Sequence, residues 1–289
     1  MRSLALLLAG NLVVLAACGG SGSKPTGVPT TSSTAGPTSS STLAPTSTTT
    51  GRSATAVPAT TARPAPTAKD PVVVGLGNSV PSGAVCRCES FVSAYADMVA
   101  AGTNTRATVD NDAVSGSTSA DVVNLMTKAT VQSHLRSATT VLIMTGANDF
   151  NDSFDQVSLG SPANLTYPPV ATAVQDNVTT VVQQIHTLNP AAHVVVLDYW
   201  AAMEDGAVAA RDYDPPTMAA SIACTTSVNQ ALAVAAKATN ALYLSTYTAF
   251  KGPDGTADPT SLLAADGDHP DAAGHQLIAK IIYAALPTG

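Results

Sequence analysis

Four short blocks bring together side chains that could attack a carbonyl: Gly77-Asn78-Ser79, Val114-Ser115-Gly116, Gly146-Ala147-Asn148-Asp149 and Asp266-Gly267-Asp268-His269-Pro270. Ser79 offers a hydroxyl, which is too weakly acidic to attack until a base removes its proton. His269 is the candidate base. Asp266, three residues earlier, can accept the other ring N–H, fix the tautomer and stabilise the imidazolium formed during attack. Negative charge on the carbonyl oxygen needs preorganised donors, and the candidates are the backbone N–H groups of Ser79 and Gly116 and the side-chain amide of Asn148. Glycine beside a polar residue usually marks a turn, so no block is informative alone. Their order and structural setting carry the reading.

The elements that must position these residues follow from the apolar pattern. Buried strands are expected at Val72-Val73-Val74-Gly75-Leu76, near Ala107-Thr108-Val109, at Val141-Leu142-Ile143-Met144, at His193-Val194-Val195-Val196-Leu197 and at Ala241-Leu242-Tyr243-Leu244. Helical patterns cover about 90 to 101, 118 to 134, 170 to 188, 218 to 239 and 271 to 285. This alternation predicts an α/β domain, three layers deep (α/β/α), with a central parallel five-stranded sheet. Ser79, Gly116 and Asn148 each follow a strand, so they should gather at the carboxyl edge of the sheet, where such folds bind ligands. Asp266 and His269 precede the last helix, with Pro270 and Asp271 suited to its first turn.

With these blocks in this order, the chain resembles the SGNH/GDSL hydrolases, named for Ser, Gly, Asn and His in four blocks. The resemblance implies a flavodoxin-like fold and ester hydrolysis. It assigns Ser79 as nucleophile, Gly116 and Asn148 as oxyanion donors beside the Ser79 amide, and Asp266 and His269 as the acid–base pair. The first block departs from the family's usual Gly-Asp-Ser, because Asn78 keeps the shape of aspartate and its hydrogen-bonding reach without its charge. The expected activity is that of an exported serine esterase. The alternatives are a lipoprotein that binds envelope glycans or lipids, and an acyltransferase using the same residues. No cofactor is expected.

The N-terminus bounds the compartment. Arg2 precedes an apolar run that stops at Leu15-Ala16-Ala17-Cys18, too short to span a membrane and suited to a signal peptide of residues 1–17. The segment resembles the lipobox of bacterial lipoproteins, which makes Cys18 the expected lipid attachment point and the membrane a partner through that anchor. Residues 18–70 are dominated by Ser, Thr, Pro, Ala and Gly and read as a disordered linker. Residues 71–289 then form one catalytic domain, expected to be monomeric and to act on a small acyl ester or an acylated glycan or lipid. A net charge of −7 without a basic stripe argues against nucleic-acid binding, and 4% aromatic residues argue against a broad stacking platform.

Three cysteines remain beside Cys18. A disulfide from Cys86 or Cys88 to Cys224 is expected, because bridging two near neighbours strains the backbone. A Cys-x-Cys metal site is disfavoured because no histidine lies nearby in sequence. The Asp266, Asp268, His269, Asp271 and His275 cluster is read as a turn and a helix start, without a metal. His275 is expected to make structural hydrogen bonds, and His134, His186 and His193 to be surface or packing residues. Asp149 should order the loop that carries Asn148. Gly75-x-Gly77 begins like a dinucleotide fingerprint, but Val80 stands where Gly or Ala is needed. Tyr199 and Trp200 close the fourth strand and serve either the pocket or packing.

Overall fold

The structure, a computed structural model, describes residues 70–286. The expected signal peptide, the anchor Cys18 and the linker up to residue 69 lie outside the described residues.

Five strands form one parallel sheet in the order β2-β1-β3-β4-β5, comprising β1 (Val72–Gly77), β2 (Thr108–Asn111), β3 (Thr140–Met144), β4 (His193–Leu197) and β5 (Leu242–Leu244). The central strands β1, β3 and β4 are runs of Val, Leu and Ile rather than alternating sequences, because helices cover both faces and leave neither exposed to water. Val73, Val74, Leu142, Ile143, Val195 and Val196 are fully buried, each worth roughly 1.5–3 kcal/mol of transfer free energy. Helices α2 (Phe91–Thr103) and α10 (Ala272–Ala285) pack on each other. Another group packs around α6 (Ala163–Leu188) and α8 (Pro215–Thr239), with α3 (Ser119–Leu125), α4 (Ala129–Ser137) and α5 (Asn151–Ser158) against them. Since β2 and β3 lie on opposite sides of β1, the chain changes direction between β1 and β3. That is the switch point at which such sheets open a binding crevice.

The helical pattern expected across 118 to 134 divides into α3 and α4. Val122 and Met126 share one buried stripe, and Val131 and Leu135 another. The step of five from Met126 to Val131 slips the 3.6-residue period, so a turn must reorient the second half. Helix α6 begins seven residues before the expected 170 and carries Pro168 and Pro169 inside its early turns. The two lost amide donors are offset by tertiary contact: Tyr167 is buried, packs edge-on against Phe150 at 5.6 Å and donates to Ala220 O at 3.0 Å. The short helices α1 (Ser79–Ser82), α7 (Gly206–Asp212) and α9 (Thr246–Lys251), together with α5, had no expected counterpart.

The cysteine expectation is overturned. Cys86 is bonded to Cys88, and Cys224 is a buried free thiol on α8. One residue upstream of the bridge, β-branched Val85 sits at φ 68°, a conformation such residues rarely adopt. Packing explains why Cys224 is left out: it is fully buried in the core, where burial pushes its thiol up to about 12.

The end of β1 depends on a glycine. Gly77 has φ 134°, and a β-carbon there would run into the Met144 carbonyl of the adjacent strand. Gly77→Ala is expected to lower unfolding free energy by at least about 2 kcal/mol in urea titration, since both backbone and neighbour must shift.

Candidate active site

The first block turns from β1 into α1 through Asn78, which caps that helix. Asn78 Oδ1 accepts from Val80 N at 3.2 Å, and its backbone N–H donates to Met144 O at 3.2 Å. Nδ2 donates to Tyr199 Oη at 2.8 Å across 121 residues of sequence. Tyr199 lies just beyond β4 and is 2% exposed. Burial pushes its phenol well above its usual value, opposed by the Ala147 backbone amide and the Asn78 side chain. The capped turn leaves Ser79 as the first helical residue, half-buried, with its N–H free of any acceptor among the described residues.

The second and third blocks are joined. Gly116 sits at φ 81° in a turn closed by Ser117 N–H donating to Val114 O at 3.1 Å, exposed and with its own amide unbonded among the described residues. Glycine serves that position because an L side chain resists positive φ. Asn148 Nδ2 donates to Ser117 O at 2.9 Å, which holds its amide beside the Gly116 turn and leaves a second N–H unassigned. Asp149 performs the ordering role expected of it: it accepts from Ser119 N at 2.8 Å and Ser119 Oγ at 2.6 Å, fastening the Asn148 loop to the start of α3. Asn177 on α6 donates to the same Ser119 hydroxyl at 2.9 Å.

The fourth block forms a tight cradle. His269 Nδ1 meets Asp266 Oδ2 at 2.8 Å, while Asp266 Oδ1 accepts from the backbone amides of Asp268 at 3.2 Å and His269 at 3.1 Å. Burial pushes the Asp266 carboxyl up, but the hydrogen bonds from His269 and Asp268 and the imidazole charge outweigh it and hold the group below the usual carboxylate range. Asp268 behaves oppositely: burial and the charges of Asp266 and Glu204 raise it, against the pull of His269. Its Oδ2 lies 3.5 Å from His269 Nδ1, so Asp266 is the closer partner. The loop is fastened by Ala264 N–H donating to His269 O and by Asp205 N–H donating to Gly267 O, each at 2.8 Å. Asp271 then caps α10, accepting from Ala273 and Gly274 amides.

Asp266 and His269 are thus joined directly, and Asn148 is joined to the loop of Gly116. Ser79 is set by Asn78 and Tyr199, and among the described residues its hydroxyl makes no hydrogen bond to His269. Sequence reasoning did not reveal the Asn78–Tyr199 tie or the Asp205–Gly267 backing, since both join segments far apart in the chain. Trp200 falls to packing, stacked on Phe250 at 4.4 Å with 12° between the planes. His275 makes the structural bond expected of it, accepting at Nδ1 from Phe91 N at 3.1 Å. His134 is more engaged than a plain surface residue, with Nδ1 2.9 Å from Asp112. The histidine missing near Cys86 and Cys88 in sequence is supplied in space by His275, whose ring nitrogen lies within 4.8 Å of both sulfurs.

The loops that carry Ser79, Gly116 and Asn148 follow β1, β2 and β3 at the switch edge of a parallel α/β sheet. Residues 76–277 match the family model of the GDSL-like lipase/acylhydrolase family, and the chain belongs to that family, whose members are ester-hydrolysing serine hydrolases. No curated protein matches. Among solved structures, the fold is similar to a lipase from a goat rumen metagenome (16% identity, TM-score 0.60, covering 74% of this chain and 97% of the other). It is also similar to a phospholipase A1 from Streptomyces albidoflavus (22%, TM-score 0.55, 75% and 99%) and to a catalytic mutant of an acetylxylan esterase from Geobacillus stearothermophilus (18%, TM-score 0.52, 73% and 92%).

Two outcomes follow from this geometry. Asn78→Ala removes both the cap of α1 and the donor to buried Tyr199, and should cost about 1–3 kcal/mol in denaturant unfolding. Because Asp266 titrates lower in the folded than in the unfolded chain, its ionised form stabilises the fold above the unfolded carboxylate value. That contribution is lost as pH falls through the folded value. The stability difference between wild type and Asp266→Asn should therefore be level from about pH 7 to pH 5 and shrink below about pH 4.

Proposed function

We propose that this chain is an exported, membrane-anchored serine esterase that cleaves carboxylic esters through an acyl-enzyme on Ser79, with His269 as base and Asp266 as its partner. The observation that carries the reading is the 2.8 Å contact between His269 Nδ1 and Asp266 Oδ2, which leaves Nε2 as the nitrogen able to take a proton. His269 Nε2 accepts the Ser79 proton as Oγ attacks the acyl carbon, and Asp266 stabilises the resulting imidazolium. Such links are often absent before substrate binds, so the unformed Ser79–His269 hydrogen bond is compatible with this role. The tetrahedral oxyanion is met by the free amides of Ser79 and Gly116 and the spare N–H of Asn148. His269 then returns the proton to the leaving alcohol. Water attacks the acyl-enzyme with the same base, restoring Ser79 and releasing the acid.

An open groove of about 550 Å³ adjoins Asn148, and neither Ser79 nor His269 is among its lining residues. Thr118, Asn148, Asp149, Asn151 and Asp152 supply its polar lining, and Pro169, Val170 and Ala173 its apolar wall. A small acyl ester or an acylated glycan or lipid is the substrate we infer, on the strength of the lipase/acylhydrolase family match. Export and anchoring rest on the Leu15-Ala16-Ala17-Cys18 segment and the linker that follows it.

Covalent labelling with a fluorophosphonate probe should mark Ser79 in the wild type and nothing in Ser79→Ala. Hydrolysis of a short acyl ester should fall by more than about a thousandfold in Ser79→Ala and His269→Ala, and by less in Asp266→Asn. Unchanged turnover in folded samples of the first two variants would remove the assignment.

A further inference from the structure

The esterase reading makes no use of the sulfur pair in the loop that follows the nucleophile. Cys86 and Cys88 are half-buried, flanked by exposed Val85, Arg87 and Glu89, and so reachable from solvent. The ring of His275 is fully buried on α10, and one of its nitrogens lies within 4.8 Å of both sulfurs. Two functions are open to two sulfurs and an imidazole: holding a soft metal ion once reduced, or exchanging disulfide with an outside thiol.

The tautomer of His275 decides between them. Nδ1 accepts the Phe91 amide at 3.1 Å, so the ring proton resides on Nε2. Burial holds this imidazole down to about 4, so the ring is neutral with one N–H. A metal ligand must present a lone pair, and ligation through Nε2 would require the proton to move to Nδ1, against the Phe91 N–H. Nε2–H is buried and has no partner among the described residues. A buried donor without an acceptor is costly, and since one nitrogen of this ring lies within 4.8 Å of both sulfurs, a thiolate that turned toward Nε2 on release would satisfy it. Val85 supplies an independent sign, since its φ of 68° is a strained backbone next to the bridge of the kind found at switching sites.

We propose that Cys86–Cys88 is a reducible thiol–disulfide centre that exchanges with dithiols, with His275 Nε2–H stabilising the thiolate that reduction releases. One thiolate of the dithiol attacks a bridge sulfur, forming a mixed disulfide and expelling the other cysteine as a thiolate. The second thiol of the reductant then breaks the mixed disulfide. The reductant leaves as its own disulfide, its two electrons and two protons passed to Cys86 and Cys88. Exposed Arg87 between the cysteines adds a positive charge that favours the thiolate. The centre reaches both halves of the candidate site. Cys86 N–H donates to Ala84 O at 2.8 Å, Ala84 N–H donates to Ser79 O at 3.0 Å, and His275 lies one helical turn beyond the Asp271 cap that follows the His269 loop. Opening the bridge frees the segment braced against Ser79, so dithiol should alter ester turnover.

The full chain, equilibrated with graded ratios of reduced to oxidised dithiothreitol and then alkylated, tests this by peptide mapping, which is independent of the esterase assignment. Cys86 and Cys88 should become alkylated while circular dichroism stays native and Cys224 remains protected. His275→Asn keeps an acceptor for Phe91 but loses the far donor, and should need about a tenfold higher reduced fraction for half-reduction. The double variant Cys86→Ala/Cys88→Ala should keep its ester turnover whether or not dithiol is added, whereas wild-type turnover should change reversibly. Reduction only on unfolding, or identical curves for wild type and His275→Asn, would overturn the proposal. Stoichiometric binding of Zn²⁺ or Cu⁺ by the reduced chain, lost in His275→Asn, would overturn it in favour of a metal site.

Discussion

The hydrogen bond from Asn78 to Tyr199 is the constraint on which the rest of the site depends. One residue does three things at once: Oδ1 caps α1, Nδ2 reaches across the sheet edge to the Tyr199 phenol, and the backbone N–H is held by the end of β3. Ser79 is the next residue, so its position follows from the strands and not from a flexible loop. Because Asn78 and Tyr199 are each 2% exposed, solvent cannot replace the bond cheaply. Asparagine also sets its polarity. The amide donates and the phenol accepts, whereas an aspartate here would need the phenol to donate.

The Asp266–His269 loop is held in a different way, by its own backbone. Asp266 gathers two amides of the loop as well as the imidazole, which turns a short Asp-Gly-Asp-His segment into a rigid claw. Support comes from behind: Asp205 caps α7, pairs with Lys251 at 2.6 Å and holds Gly267 O through its amide. The half-buried pair is braced on both sides, unlike the exposed Arg211–Asp212 pair, which contributes little to the fold. The two carboxylates of the claw are driven apart, Asp266 toward its ionised form by hydrogen bonds and Asp268 toward its neutral form by burial and like charge.

Part of this was legible in the chain. Runs of Val, Leu and Ile mark the central strands because a strand covered on both faces has no reason to alternate. The blocks after β1, β2 and β3 could be assigned to one edge because a parallel sheet brings successive carboxyl ends together. The misreadings have equally local causes. The helix expected from 170 begins at Ala163 and runs through Pro168 and Pro169, because burial of Tyr167 holds the earlier turns in place. The period slip after Met126 was hidden in a long apolar pattern, and α7 and α9 are too short to show periodicity at all.

By itself the sequence determined the fold class, the order of the strands along the chain, the family and the pairing of Asp266 with His269, because these rest on local patterning and on residues close in the chain. Only the tertiary structure decided which partners meet across it. It joined Asn78 to Tyr199, tied Asp149 to Ser119, brought His275 to Cys86 and Cys88, and left Cys224 unbonded in the core. A hydrogen bond or a sulfur contact acts over a few ångströms. Whether two residues come that close depends on how helices and sheet pack, which no window along the chain contains.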